Sequence, residues 1–196
     1  RLGVFSALVG GLFLLTVMLL SANRLPRRKV IVVLICTSIG ACFIVVAATP
    51  VLAERMVFLG QGLAVRLELF RQSLDMISQR PLLGFGLDSF SVAFELFHQP
   101  DLATWFIWDK AHNSYLTLWA ELGLVVGSIP MLIIGICFVR MLFQLQQRER
   151  TYLPAAIAAA VVVVCAVHSL GDFSLEMAAN AYLFIVLAGI GISEKV

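Results

Sequence analysis

Arg66 and Arg71 lie on a stretch whose apolar residues recur at helical spacing, and their neighbours separate their roles. Arg71 has Glu68 at i−3 and Asp75 at i+4, so local ion pairing accounts for it. Arg66 has Gly62, Leu63, Leu69 and Phe70 at the same offsets and therefore no carboxylate in helical reach. A guanidinium left in that state either takes an external anion such as a phosphate, which it binds bidentately, or snorkels to lipid headgroups. His112 is the second reactive group. Standing where an apolar run begins, it suits a general base, an anion ligand or only an interfacial polar tip. If the run is helical from His112 onward, His112, Tyr115, Leu116, Trp119 and Gly123 share one face, and Asn113, Thr117 and Glu121 share another. Glu121 is then expected to point away from His112, about two turns into a span, where a carboxylate either packs helices or belongs to a site. His168 and Asp172, in the polar patch His168 to Glu176, stand in the same position.

The elements that must position these groups are membrane helices. Of the 196 residues, 61% are hydrophobic and only 13% charged, and the mean hydropathy is +0.98. Soluble domains are roughly half apolar and a quarter charged. Spans need about 20 apolar residues, and five segments qualify or nearly do: Leu2–Ala22, Val30–Leu52, Ser114–Phe143, Leu153–Val167 and Met177–Ile192. The expected organisation is two transmembrane helices over 1–52 with a basic loop at 23–29, a polar segment over 53–112, and three transmembrane helices over 113–196. Because the chain starts at Arg1 and runs directly into an apolar stretch, it reads as a fragment of a larger protein. A signal peptide would put the basic residues before the apolar run, not after it.

Short basic loops mark the cytoplasmic side. Arg24, Arg27, Arg28 and Lys29 follow the first span, and Arg140, Arg148 and Arg150 end the third. Alternation then puts Arg1, segment 53–112 and the turn at Asp172 together on the exoplasmic face. Within that segment Leu63, Leu67, Phe70, Leu74 and Ile77 form the stripe of an amphipathic helix over 61–79, expected to lie along the membrane surface. Arg80-Pro81 ends it, and Gly84-Phe85-Gly86 gives a sharp turn. Trp105 and Trp108 suit the interfacial aromatic belt, and Pro130 is expected to kink the third span.

A net charge of +2 offers no basic field for nucleic acid. Cys36, Cys42, Cys137 and Cys165 all lie in apolar runs without CxxC spacing, so a disulfide or zinc site is not expected.

Three stretches resemble the C-terminal portion of the O-antigen ligase and polysaccharide polymerase superfamily, the Wzy_C-type membrane glycosyltransferases. They are Arg66-Leu-Glu-Leu-Phe with Arg80-Pro-Leu-Leu-Gly-Phe-Gly-Leu-Asp-Ser-Phe90, Asp109-Lys-Ala-His-Asn-Ser-Tyr-Leu116 with Glu121-Leu-Gly123, and His168-Ser-Leu-Gly-Asp-Phe173 with Asn180. The resemblance implies an all-α, polytopic, GT-C-like protein of the bacterial inner membrane, active on its periplasmic face without metal or cofactor. It implies a donor glycan on a polyprenyl diphosphate such as undecaprenyl diphosphate, and an acceptor hydroxyl on lipid A core, on a growing glycan or on protein. It also implies that Arg66, with Arg1 as a second cation, holds the diphosphate, and that His112 handles the acceptor proton. Arg71, Asn113, Glu121, His168 and Asp172 form the surrounding group. The segment between Arg66 and His112 is shorter than expected for dedicated ligases, so polymerase and protein O-oligosaccharyltransferase remain alternatives. Two other classes compete, a solute transporter of the bicarbonate type and a catalytically silent subunit of an envelope complex. A transporter would thread polar residues through several spans, whose interiors here hold almost no charge apart from Glu121.

Overall fold

The computed structural model describes residues 2–20, 59–102, 107–146 and 152–193, together with the single positions 28, 32 and 35. Arg1, Trp105, Arg148, Arg150, nearly all of the second expected span and the basic loop apart from Arg28 lie outside the described residues. Among those described there are six α-helices and no strand. They are α1 (Leu2–Leu20), α2 (Leu59–Gln79), α3 (Phe90–Phe94), α4 (Ser114–Gln146), α5 (Tyr152–His168) and α6 (Ala178–Ile192). Two are long and apolar enough to cross a membrane, α1 and α4, while α5 and α6 are shorter apolar helices.

The chain divides into two compact units. One holds α1, the end of α4 from residue 137, α5 up to Val167 and α6 from Leu183. Its helices approach closely because small residues face them. A Cβ on Gly10 would collide with Val164, and one on Gly191 with Ala158. Ala155, Ala156, Ala158, Ala159 and Ala160 are all buried along α5. Small residues of this kind let apolar helices pack backbone to backbone where no hydrophobic driving force separates helix from lipid.

The other unit holds residues 58–136 and 168–182, and it carries the reactive side chains. Its core is Leu69, Met76 and Ile77 of α2 packed with Phe90, Ala93 and Phe94 of α3, Leu102, Ala111, and Leu116 and Ala120 of α4. Helix α2 therefore has three faces. Leu69, Gln72, Ser73 and Met76 are buried against the unit, and Glu68, Arg71 and Asp75 form a charged row. Leu63, Leu67 and Leu74 are left exposed. That last row is most of the stripe expected at the membrane surface. Ile77 and Phe70 of the stripe pack on the protein beside a neighbouring face, which tolerates Gln72 because its amide donates to Glu68 and accepts from the Gln99 N–H.

Helix α4 breaks at Gly123, which has a non-helical backbone, with φ 76° and ψ 168°, and Pro130 lies downstream inside the helix. Side chains nine residues apart meet across this break. Trp119 Nε1 donates to Ser128 Oγ at 3.0 Å, whereas a straight helix would part such residues by about 13 Å. The chain folds sharply at Gly123, so Glu121 precedes the long straight run instead of lying two turns inside it. The break is set by the turn after α2. Phe85 N–H donates to Ala120 O, Gly86 N–H to Glu121 O, and Leu124 N–H to Pro81 O. A Cβ on Gly123 would run into the Leu82 carbonyl, and its φ/ψ combination belongs almost solely to glycine. Gly123→Ala is accordingly expected to cost about 3 kcal/mol or more, read as a loss of thermal stability of the purified protein. Gly135→Ala, where an added Cβ meets nothing, serves as the neutral control.

Candidate functional site

Helix α4 begins at Ser114, and Asn113 caps it. The Asn113 side-chain oxygen accepts from the N–H groups of Tyr115 and Leu116 at 3.0 and 3.2 Å, the geometry of an N-cap. His112 is therefore not on the helix, and the shared-face expectation is corrected. Its φ is 51°, in the left-handed region that non-glycine residues enter at a cost and that recurs at functional positions.

The turn between α5 and α6 docks onto this helix start. Ser114 N–H donates to Ser169 O, Asn113 Nδ2 to Leu170 O at 3.0 Å, and Ser114 Oγ to Asp172 O at 3.3 Å. Arg66 reaches the same turn from α2, with Nη1 donating to Gly171 O at 2.9 Å. One short turn, 169–173, thus carries contacts from α2 and from the start of α4. The His112 ring packs edge-on against Phe173 at 5.0 Å and against Trp108 at 6.4 Å.

Arg66, His112, Asp172 and Asp109 also share an electrostatic field. Burial pushes the His112 pKa below the ordinary histidine value and the Arg66 guanidinium pushes it further down, while Asp172 and Asp109 pull it up. The net effect keeps the imidazole neutral near pH 7, with a lone pair free to take a proton. Arg66 is exposed and makes no ion pair with a carboxylate among the described residues. Its carbonyl contact uses one N–H and leaves the rest of the fork open to an anion.

The remaining candidates take other duties. Arg71 pairs with Glu68 at 2.6 Å and Asp75 at 3.0 Å and also donates to Gln99 at 2.7 Å. Glu121, 5% exposed, accepts from the N–H groups of Asp88 and Phe90 at 2.9 and 3.2 Å and so fixes the 86–90 backbone. His168 Nε2 lies 3.6 Å from Asp172 Oδ2, an arrangement that orients Asp172 beside His112. Asn113 is a cap.

Two residues that sequence reasoning passed over belong here. Lys110 stands 3.6 Å from Asp88 and 3.5 Å from Glu176. Burial works against its charge, but Glu176, Glu121 and Asp88 together raise its pKa. Burial raises the Glu176 carboxyl, and Lys110 opposes that. The pair ties the segment before His112 to the helical turn after Phe173. The only available signal was position, Lys110 lying two residues before His112 and Glu176 closing the polar patch.

Described residues that are helical without strand, with two apolar helices of membrane-crossing length among them and a polar cluster gathered at helix ends, fit the class of helical membrane proteins. The O-antigen ligase family model, Wzy_C, matches residues 1–131, and the chain belongs to that family. Arg66 and His112 lie inside the matched residues; His168 and Asp172 lie beyond them. Comparison with curated proteins found no match, and comparison with solved structures found none either. Membership supports a glycosyltransferase-type role, ligase or polymerase, acting on lipid-linked glycans in a membrane setting.

Proposed function

We propose that the protein transfers a glycan from a polyprenyl-diphosphate carrier to an acceptor hydroxyl on the periplasmic face of the bacterial inner membrane. One observation carries the reading. A cation with no carboxylate partner among the described residues and an imidazole are held at the same turn, Arg66 by hydrogen bond to Gly171 and His112 by ring contact with Phe173. In the proposed step His112 accepts the proton of the acceptor hydroxyl, whose oxygen forms the new bond to the anomeric carbon. The bond from that carbon to the phosphate oxygen breaks, and its electron pair leaves with the diphosphate, whose charge Arg66 stabilises. No metal or cofactor takes part.

In this reading the chain crosses the membrane about five times, and its short basic loops lie in the cytoplasm. Residues 53–112 and the Asp172 turn then face the periplasm, with α2 along the membrane surface. Lipid A core, a growing glycan and protein are the acceptor classes. The test is reconstitution of the full-length protein in liposomes with a purified polyprenyl-diphosphate glycan and each acceptor in turn. Transfer to one acceptor, with release of the polyprenyl diphosphate in equal amount, is the expected result. Solute uptake without any lipid-linked sugar, or donor binding with no turnover on any acceptor, would overturn it.

A further inference from the structure

Leu82 and Leu83, 66% and 85% exposed, stand in the turn between α2 and α3, next to the start of a long apolar helix. Leu87, at the end of the same turn, is also exposed. A short turn in water would carry polar side chains at such positions. Here the leucines sit on backbone that is fixed to α4. Leu124 N–H donates to Pro81 O at 2.7 Å, Phe85 N–H to Ala120 O at 2.9 Å and Gly86 N–H to Glu121 O at 2.8 Å. The Glu121 carboxylate takes the N–H groups of Asp88 and Phe90.

That attachment sets the depth of the turn. Downstream of the break at Gly123, α4 runs on from Leu124 to Gln146, about 34 Å at 1.5 Å per residue, enough to cross a hydrocarbon core of about 30 Å. Its first residues, Leu124, Val125 and Val126, are exposed and adjoin the turn through the bond to Pro81. The leucines therefore stand level with the end of the helix that would enter lipid. Charge begins just past the turn, where Asp88, with a side chain 91% exposed, pairs with Lys110 at 3.6 Å. Irregular backbone reaches membrane depth only where its polar groups are satisfied within the protein; here α4 donates to Pro81 O and takes the N–H groups of Phe85 and Gly86, and Arg80 O takes that of Gly84.

We propose that the turn 81–87 is a membrane-inserted knuckle, with Leu82 and Leu83 in the bilayer hydrocarbon beside the N-terminal end of the 124–146 helix. The knuckle would hold the α2–α3 segment, and the site it helps build, at a fixed height above the lipid. This rests on α4 crossing the membrane and not on the transferase reading.

The test places a nitroxide on Leu83→Cys in the full-length protein in liposomes, on a background lacking the native cysteines. Collision with dissolved oxygen is compared with collision with a water-soluble nickel complex. Labels on Val125→Cys and Asp109→Cys serve as lipid and water references. The expected result is an oxygen-to-nickel ratio at position 83 several-fold above that at 109 and close to that at 125. A ratio equal to that at 109 would overturn the proposal. So would shielding from both reagents, the result a second copy or another protein seated on the knuckle would give. Because a spin label at position 83 adds bulk without removing any hydrogen bond of the turn, folding is checked by comparing its thermal midpoint with that of the parent.

Discussion

Arg66→Ala in the full-length protein is expected to lower glycan transfer by on the order of 10²–10³-fold, the cost of losing one preorganised donor to a developing anion. The variant should still insert and fold. Arg66 is exposed, and among the described residues its guanidinium makes one hydrogen bond, to Gly171 O. A bond of that kind contributes about 1 kcal/mol, too little to unfold the unit. Arg66→Lys separates charge from geometry, because an ammonium keeps the charge but not the planar fork. Partial recovery in the lysine variant is expected. Initial rates of donor consumption, together with thermal midpoints, read both effects, and an Arg66→Ala protein as active as its parent would remove Arg66 from the site.

His112→Asn is expected to lower the rate by about 10²–10⁴-fold, the usual contribution of a positioned base. Asparagine is the informative replacement because it tolerates the left-handed backbone that His112 adopts at φ 51°. The parent enzyme's pH profile carries the same information. Burial and Arg66 both lower the His112 pKa from its ordinary 6.5, so activity should persist below pH 6.5 and fall only as the imidazole protonates. Phe173→Ala uncovers the ring and should move the acid limb up toward 6.5. Asp172→Asn removes a charge that favours the imidazolium and should move it further down. Stability follows the same sign. Below about 6.5 the unfolded chain takes up a proton that the folded chain resists, so the His112 contribution is complete above that pH and is lost as pH falls through the folded value.

The elements were easier to read from sequence than the contacts between them. The span limits at Leu2, Ser114, Leu153 and Met177 agree with the ends of α1, α4, α5 and α6 to within a residue or two, because long apolar runs bounded by polar residues leave little choice. Local pairing was legible too, since helical geometry alone brings Glu68 and Asp75 to Arg71 and nothing comparable to Arg66. The apolar stripe on α2 was visible, but the face that packs on the protein was not, because it contains Gln72 and Ser73 and finds its partners on α3. Asn113 is a strong cap residue, and reading it as one would have taken His112 off the helix. Glu121 could not be assigned from sequence, for its partners are the backbone N–H groups of Asp88 and Phe90. The break at Gly123 likewise depends on the approach of Leu82. The gathering of Arg66, His112 and Asp172 at one turn is tertiary as well. Only their expected common side of the membrane was available beforehand.

The central claim is a division of labour, with Arg66 acting on the leaving diphosphate and His112 on the acceptor hydroxyl. Equilibrium binding of a polyprenyl-diphosphate glycan to the full-length protein, measured beside turnover for Arg66→Ala and His112→Asn, tests it directly. Arg66→Ala is expected to weaken donor binding at least tenfold, about 1.4 kcal/mol, and to lose turnover. His112→Asn is expected to bind donor as the parent does while turnover is lost. Unchanged donor binding in Arg66→Ala, or loss of donor binding in His112→Asn, would contradict it.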